Sequence, residues 1–233
     1  MSVLNFEGLS AARLERDPFD YFVVRDFIKQ EHAAAILGGF PRIDQGGSFP
    51  LVSLEYGPAF QSLCQELEGP QMRAAISEKL EIDLAGRPTT LTVRGHCRSK
   101  DGKIHVDSKT KLVTVLLYLN PAWSDPGGHL RLLRNGHDLE AMVAEIAPEL
   151  GTLVVFRNGP AAWHGHTSYE GVRRAMQLNW VCDEQAVRRS ERRHGLSALW
   201  KKIRTRIFSG SSSSAAARSA PGPNHSLDTM RAA

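Results

Sequence analysis

The chain has 233 residues, 29 Lys and Arg against 25 Asp and Glu, a formal charge of +4, and 42% hydrophobic and 23% charged residues, which is the balance of an ordinary globular protein. No apolar run reaches the roughly 20 residues that span a bilayer, and the opening MSVLNFEGLSAARLERDPF lacks the basic-then-apolar layout of a secretory leader, so a cytoplasmic protein is expected. Cys64, Cys97 and Cys182 are odd in number, far apart and free of CxxC spacing, against a disulfide framework or a Cys-built zinc site.

In chain order, PFDYFVVRDFI is rich in strand formers and reads as a first short strand. Lys29 to Leu37 is Ala-rich and reads as a short helix stopped by Gly38 and Gly39. From Pro58 to Leu84, apolar residues recur at helical spacing, and Gly69 and Pro70 divide the stretch into two helices. From Leu91 the texture changes to short apolar runs: LTVRGH, IHVDS, KLVTVLLYLN, HLRLLR, TLVVFR and RRAMQLNWV, separated by turn sequences. That is the pattern of an antiparallel sandwich or barrel. Ala141 to Pro148 reads as a helical turn before TLVVFR, and the β part ends near Val181. A body over residues 1–185 is therefore divided into a helical part to about 90 and a β-rich core at about 91–182.

Two places combine metal-binding side chains. In IHVDS, His105 and Asp107 lie two apart on an extended segment and project to the same side. In WHGH, about 60 residues later, His164 and His166 do the same. Two imidazoles and one carboxylate with open opposite positions suit non-haem Fe(II) and O2 chemistry. The alternation of VRRAMQLNW puts Arg174 on one face with Val172, Met176, Leu178 and Trp180, and Arg173 on the other. A cation on an inward apolar face needs an anion. A dicarboxylate offers one, and a guanidinium fork fits it.

HVD, KLVTVLLYLNPAW, GGHL, TLVVFRN, WHGHTSYEGVRR and QLNW, in this order and spacing over Arg94 to Val181, resemble the 2-oxoglutarate and Fe(II)-dependent dioxygenases of the prolyl-4-hydroxylase-like branch. The resemblance implies a mainly β fold with flanking helices, a double-stranded β-helix (jelly roll) with N-terminal helices packed on it. It implies Fe(II) on His105, Asp107 and His164, with the far carboxylate of 2-oxoglutarate on Arg174, about ten positions after His164, and on Tyr118. Thr114 is a weaker addition to the cosubstrate pocket. His166 is left for the surroundings of the metal or the substrate side, with the distal-ligand role as its alternative. Leu178 stands where the branch carries a carboxylate-binding Thr four positions after the Arg, and His129 occupies a position that leans toward the mouth. The implied reaction consumes O2 and 2-oxoglutarate, with ascorbate as an accessory reductant, and hydroxylates an unactivated C–H of an unknown substrate, small-molecule or peptidyl, with release of succinate and CO2. A non-catalytic jelly-roll module that binds or senses a metal or a dicarboxylate is the alternative. A cupin-like isomerase or a zinc hydrolase would need no Arg174 pocket.

Residues 186–233 carry ten bases and two acids, a net +8, which leaves −4 for residues 1–185. The basic excess belongs to the tail and is no argument for nucleic-acid binding by the body. Leu196, Leu199, Trp200, Ile203 and Ile207 form one stripe of a basic amphipathic helix at 186–209. Such a helix packs on the body or a second subunit, or lies on an anionic membrane or an acidic partner through 190–208, giving a peripheral location. Vesicle co-sedimentation with and without 190–208 separates these. The Ser-, Ala- and Pro-rich stretch 210–233 is expected to be disordered.

Overall fold

The structure is a computed structural model that describes residues 2–189. Helix α1 (Phe6–Ala11) and strand β1 (Tyr21–Val24) precede α2 (Gln30–Gly38), the two-residue strand β2 (Phe49–Pro50) and a 3-10 turn at Leu51–Ser53. Next come α3 (Pro58–Glu68) and α4 (Pro70–Leu80). The break between these two helices falls at Gly69 and Pro70, where a Pro without an N–H starts the second helix at no cost. The β part comprises β3 (Thr89–Cys97), β4 (Lys111–Tyr118), β5 (Leu130–Leu133), β6 (Met142–Ile146), β7 (Leu153–Arg157), β8 (Trp163–His166) and β9 (Gly171–Val181).

The strands form a six-stranded sheet in the order β1-β7-β4-β9-β3-β2 and a three-stranded sheet in the order β6-β5-β8. All their pairings are antiparallel, and the non-consecutive order is that of a jelly roll. Two expectations fail here. Ala141 to Pro148 is strand β6, because its backbone pairs with β5 at the sheet edge and that pairing overrides a weak local preference. IHVDS is not a strand: His105 makes a single antiparallel bridge to His164, with two backbone hydrogen bonds of 3.0 Å, at the free edge of β8.

The large sheet has apolar clusters on both faces. On its outer face, Met176, Leu178 and Trp180 of β9, Leu91 and Val93 of β3 and Val113, Val115 and Leu117 of β4 pack against Phe60, Leu63 and Leu67 of α3 and Met72, Ile76 and Leu80 of α4. At about 25 cal/mol per Å2 of apolar surface removed from water, this layer is the main stabilising term. On the inner face, Phe19, Tyr21, Val154 and Phe156 meet Leu130, Leu132 and Ile146 of the small sheet. That packing closes one end of the sandwich. At the other end the inner face is polar, carrying Thr90, Thr92 and Arg94 of β3, Thr114 of β4 and Arg173, Gln177 and Asn179 of β9 around a cavity.

Among the described residues no helix is long and apolar enough to cross a membrane. Residues 184–189 are helical. The rest of the expected amphipathic helix and the 210–233 tail lie outside the described residues.

Candidate active site

The cavity, about 760 Å3 in volume, lies between the polar end of the large sheet, strand β8 and the loop 100–111. Its metal-binding group is assembled from that loop and from β8. Ligand atoms of His105, Asp107 and His164 all lie within 4.8 Å of one another. The backbone bridge explains how residues 59 positions apart in the chain come together: with His105 paired to His164, their rings stand 4.3 Å apart, and Asp107, two residues on, projects to the same side.

Each imidazole is held in one tautomer. His105 Nδ1 lies 2.9 Å from the Lys103 carbonyl and His164 Nδ1 lies 3.0 Å from that of Ala162. A carbonyl only accepts, so both Nδ1 atoms carry the proton and both Nε2 lone pairs remain for a metal. Burial, reinforced by His105, pulls the His164 pKa down to about 4, so this imidazole is neutral and ready to ligate at neutral pH. Burial alone would raise the pKa of Asp107, but the Lys111 ammonium leads a set of opposing effects that hold the carboxyl below its ordinary value. Lys111 Nζ donates to Oδ1 at 2.6 Å and Thr114 Oγ1 donates to Oδ2 at 2.7 Å. Two imidazoles whose Nδ1 atoms are tied to carbonyls and a fixed carboxylate fit ferrous iron.

Thr114 thus supports the metal group, more than the cosubstrate pocket expected for it. It also accepts from Asn158 Nδ2 at 2.9 Å, which fixes its own rotamer. Thr114→Val keeps the shape and removes these bonds. It is expected to weaken Fe(II) binding by about 10- to 100-fold, the usual cost of losing a group that orients a ligand, as read by metal titration of the apoprotein.

Close approach of the loop to β8 depends on two glycines. A Cβ on Gly165 would meet the Gly102 carbonyl oxygen at 2.8 Å, and Gly102, at a φ of +89°, lies against the His166 ring. Gly165→Ala is therefore expected to push the loop off β8 and lower iron occupancy about tenfold or more, while the melting temperature changes far less, since the apolar clusters are remote. Metal analysis and thermal denaturation of the same sample check this.

His166 is not part of the metal group. Its Nδ1 lies 2.8 Å from the Thr167 carbonyl and its Nε2 3.8 Å from Cys97 Sγ. Burial, aided by the Arg173 charge, pulls its pKa down to about 4. It lines the cavity beside the metal group as a neutral wall. His129, expected at the mouth, instead faces Glu145 of β6, its Nδ1 3.7 Å from Oε2. Arg94 and residues 100–103 line the cavity, and the 125–129 loop does not.

The expectation for Arg174 is overturned. Arg174 points outward, its guanidinium 5.3 Å from the Phe40 ring centroid. Arg173 points into the cavity and is only 7% exposed. Its Nε donates to the Gly128 carbonyl at 2.8 Å, and its Nη2 lies 3.4 Å from Tyr118 Oη. Among the described residues no carboxylate forms an ion pair with it, so a buried fork keeps donors free. The physical reason is that both faces of β9 are covered: its apolar face packs on the helices and its polar face lines the cavity. Apolar alternation therefore located the helix layer and not the site. With the cation at Arg173, nine positions after His164, the residue four positions further on is Gln177, a cavity-lining amide, and not Leu178.

Residues 94–182 match the family model of the 2OG-Fe(II) oxygenase superfamily. The jelly-roll segment belongs to the 2OG-Fe(II) oxygenase superfamily. Members of this superfamily depend on Fe(II), 2-oxoglutarate and O2, and the match covers the jelly-roll segment alone. Among solved structures, a Pseudomonas putida prolyl-4-hydroxylase is similar at 19% identity, covering 78% of this chain and 99% of that one with a TM-score of 0.53. A Phytophthora capsici prolyl 4-hydroxylase is similar at 17% identity, covering 77% of this chain and 63% of that one with a TM-score of 0.51. At these identities the likeness concerns the fold of the oxygenase. A comparison with curated proteins gave no match.

Sequence reasoning missed Lys111 and Gln177 as cavity residues. The signal for Gln177 was present as polar alternation, Arg173-Gln177-Asn179 on β9 beside Thr90-Thr92-Arg94 on β3.

Proposed function

We propose that this oxygenase hydroxylates an unactivated C–H bond, with Fe(II) held by His105, Asp107 and His164 and the far carboxylate of 2-oxoglutarate held by Arg173 and Tyr118. The observation that carries this reading is the coexistence, in one cavity, of a His-Asp-His group and a buried Arg fork with no anionic partner among the described residues. When bound, the iron and 2-oxoglutarate supply oxidative decarboxylation to succinate and CO2, coupled to oxygen insertion.

The residues of the chain do the placing. His105 and His164 offer Nε2, with Nδ1–H of each donating to a backbone carbonyl, and Asp107 offers an oxygen whose direction is set by Lys111 and Thr114. Arg173 is fixed by Gly128 and stacked on the Tyr118 ring at 5.1 Å, so its free donors are aimed before any ligand arrives. Leu116 and Ala175 face the cavity between these polar groups and exclude water where a carbon chain would lie.

Succinate formation from 2-oxoglutarate, with Fe(II) and ascorbate and no further substrate, tests the reading. Turnover that requires iron is expected. Tight binding of both ligands with no succinate formed would leave a binding or sensing module in its place.

A further inference from the structure

A second cation stands on the cavity floor apart from the Arg173 and Tyr118 pair. Arg94 of β3 pairs with Ala175 of β9, and Ala175 pairs with Tyr118 of β4, so the three form one row across the sheet. With neighbouring strands about 4.8 Å apart, the backbones of Arg94 and Tyr118 are about 10 Å apart. The methyl of Ala175 leaves the space between them open. The Arg94 guanidinium is fixed along one edge, Nε donating to Ser48 Oγ at 2.7 Å.

No carboxylate among the described residues forms an ion pair with Arg94. Asp101, on the same side of the cavity, is engaged by Arg98 at 2.8 Å. Burial pulls the Arg94 pKa down, and the Arg173 charge acts with it against Asp101, so two guanidiniums repel each other across one floor. At the mouth, Lys100 and Lys103 add positive charge, whereas Lys111 is neutralised by Asp107. This concentration of cations lies in a body, residues 1–185, whose net charge is −4, so overall composition does not account for it. Such a cavity attracts and retains anions.

We propose that the primary substrate is a small molecule bearing a carboxylate, and that Arg94 receives that carboxylate. The inference rests on 2-oxoglutarate being held by Arg173, since a cosubstrate held elsewhere would leave both cations open. With Nε tied to Ser48, the terminal N–H groups of Arg94 are free for a charge-assisted bond to an oxyanion. A cavity of about 760 Å3 has room for the cosubstrate and a molecule of amino-acid size. The rim over it is pinned, with His166 N donating to the Gly102 carbonyl and Ser168 Oγ to the Ser99 carbonyl, both at 2.9 Å. A receptor on the floor under a fixed rim matches a compact acid. The backbone in the middle of a peptide offers only uncharged amides to such a receptor.

Ligand-observed NMR on the chain loaded with 2-oxoglutarate and redox-inert Zn(II) in place of Fe(II) tests this. The probes are carboxylate and carboxamide pairs, such as proline with prolinamide and phenylacetate with phenylacetamide, together with one neutral and one acidic peptide. The acid of at least one pair is expected to bind about tenfold or more tighter than its amide, and Arg94→Met to erase that preference while weakening 2-oxoglutarate less than about threefold. Arg94→Lys, which keeps the charge and loses the fork, is expected to retain part of it. The proposal is overturned by equal binding of acids and amides, by no acid binding up to millimolar concentration, or by a peptide binding better than every small acid. It is also overturned if Arg94→Met weakens 2-oxoglutarate as much as Arg173→Met does. Failure of 2-oxoglutarate itself to bind the Zn(II)-loaded chain, read before any probe is added, would instead refute the cosubstrate assignment.

Discussion

Arg173→Met is expected to weaken 2-oxoglutarate binding by about a hundredfold or more, and Arg174→Met by less than about threefold. Truncating one member of a buried charge pair costs roughly 2–5 kcal/mol, and a hundredfold corresponds to about 2.7 kcal/mol. The loss falls on the liganded state alone. Among the described residues Arg173 has no carboxylate to abandon, only the Gly128 carbonyl and the Tyr118 hydroxyl, so the melting temperature of the metal-free variant should stay close to that of the parent. Arg174 reaches Phe40 on the opposite face of β9, and its removal leaves the cavity intact. Titration of 2-oxoglutarate into both variants, loaded with Mn(II) or Zn(II), decides the matter. The reverse ranking would return the cosubstrate to Arg174.

Asp107→Ala is expected to reduce succinate formation by at least about a thousandfold and to weaken Fe(II) binding beyond the 10- to 100-fold that loss of a supporting group costs. Asp107 is the anion of the metal group, and its removal also strands the Lys111 ammonium beside the two imidazoles. A positive charge in place of a negative one then opposes the metal directly. Asp107→Asn has nearly the same shape and separates that charge effect from geometry. His166→Ala is the contrasting variant: it should keep one iron per chain, because His166 is oriented toward Thr167 and Cys97. A variant lacking the Asp107 carboxylate that turned over 2-oxoglutarate at the parental rate would refute the proposed site.

Local signals carried much of the architecture. The Gly69-Pro70 break, the strands rich in Val and Leu and the end of the sheet at Val181 are stated by residue types whose backbone preferences are strong. The cluster of His105, Asp107 and His164 was legible in part: HxD pairs its two side chains, but HxH does not, since only His164 of that pair joins them. Strand β6 was not, because MVAEI pairs only at an edge and its residues are mostly half-exposed, so no apolar period marks it. The choice between Arg173 and Arg174 was illegible for a different reason. Adjacent residues of a strand face opposite ways, and the pattern cannot say which of two covered faces holds the ligand until the helices α3 and α4 are seen to occupy one of them. Lys111 needed the path of the loop before β4, which brings it back onto Asp107 and which no local period encodes.

The tie between His105 and His164 makes metal loading a folding step for a stretch of chain. Residues 98–110 pair with the rest of the protein through few backbone bonds, among them the two His105–His164 bonds and the one from His166 to Gly102. A ligand that bridges both sides of that seam stabilises the ordered loop by mass action. Hydrogen exchange of these amides should therefore slow on iron loading while that of β4 and β9 does not change, so that one local measurement reports iron occupancy independently of turnover.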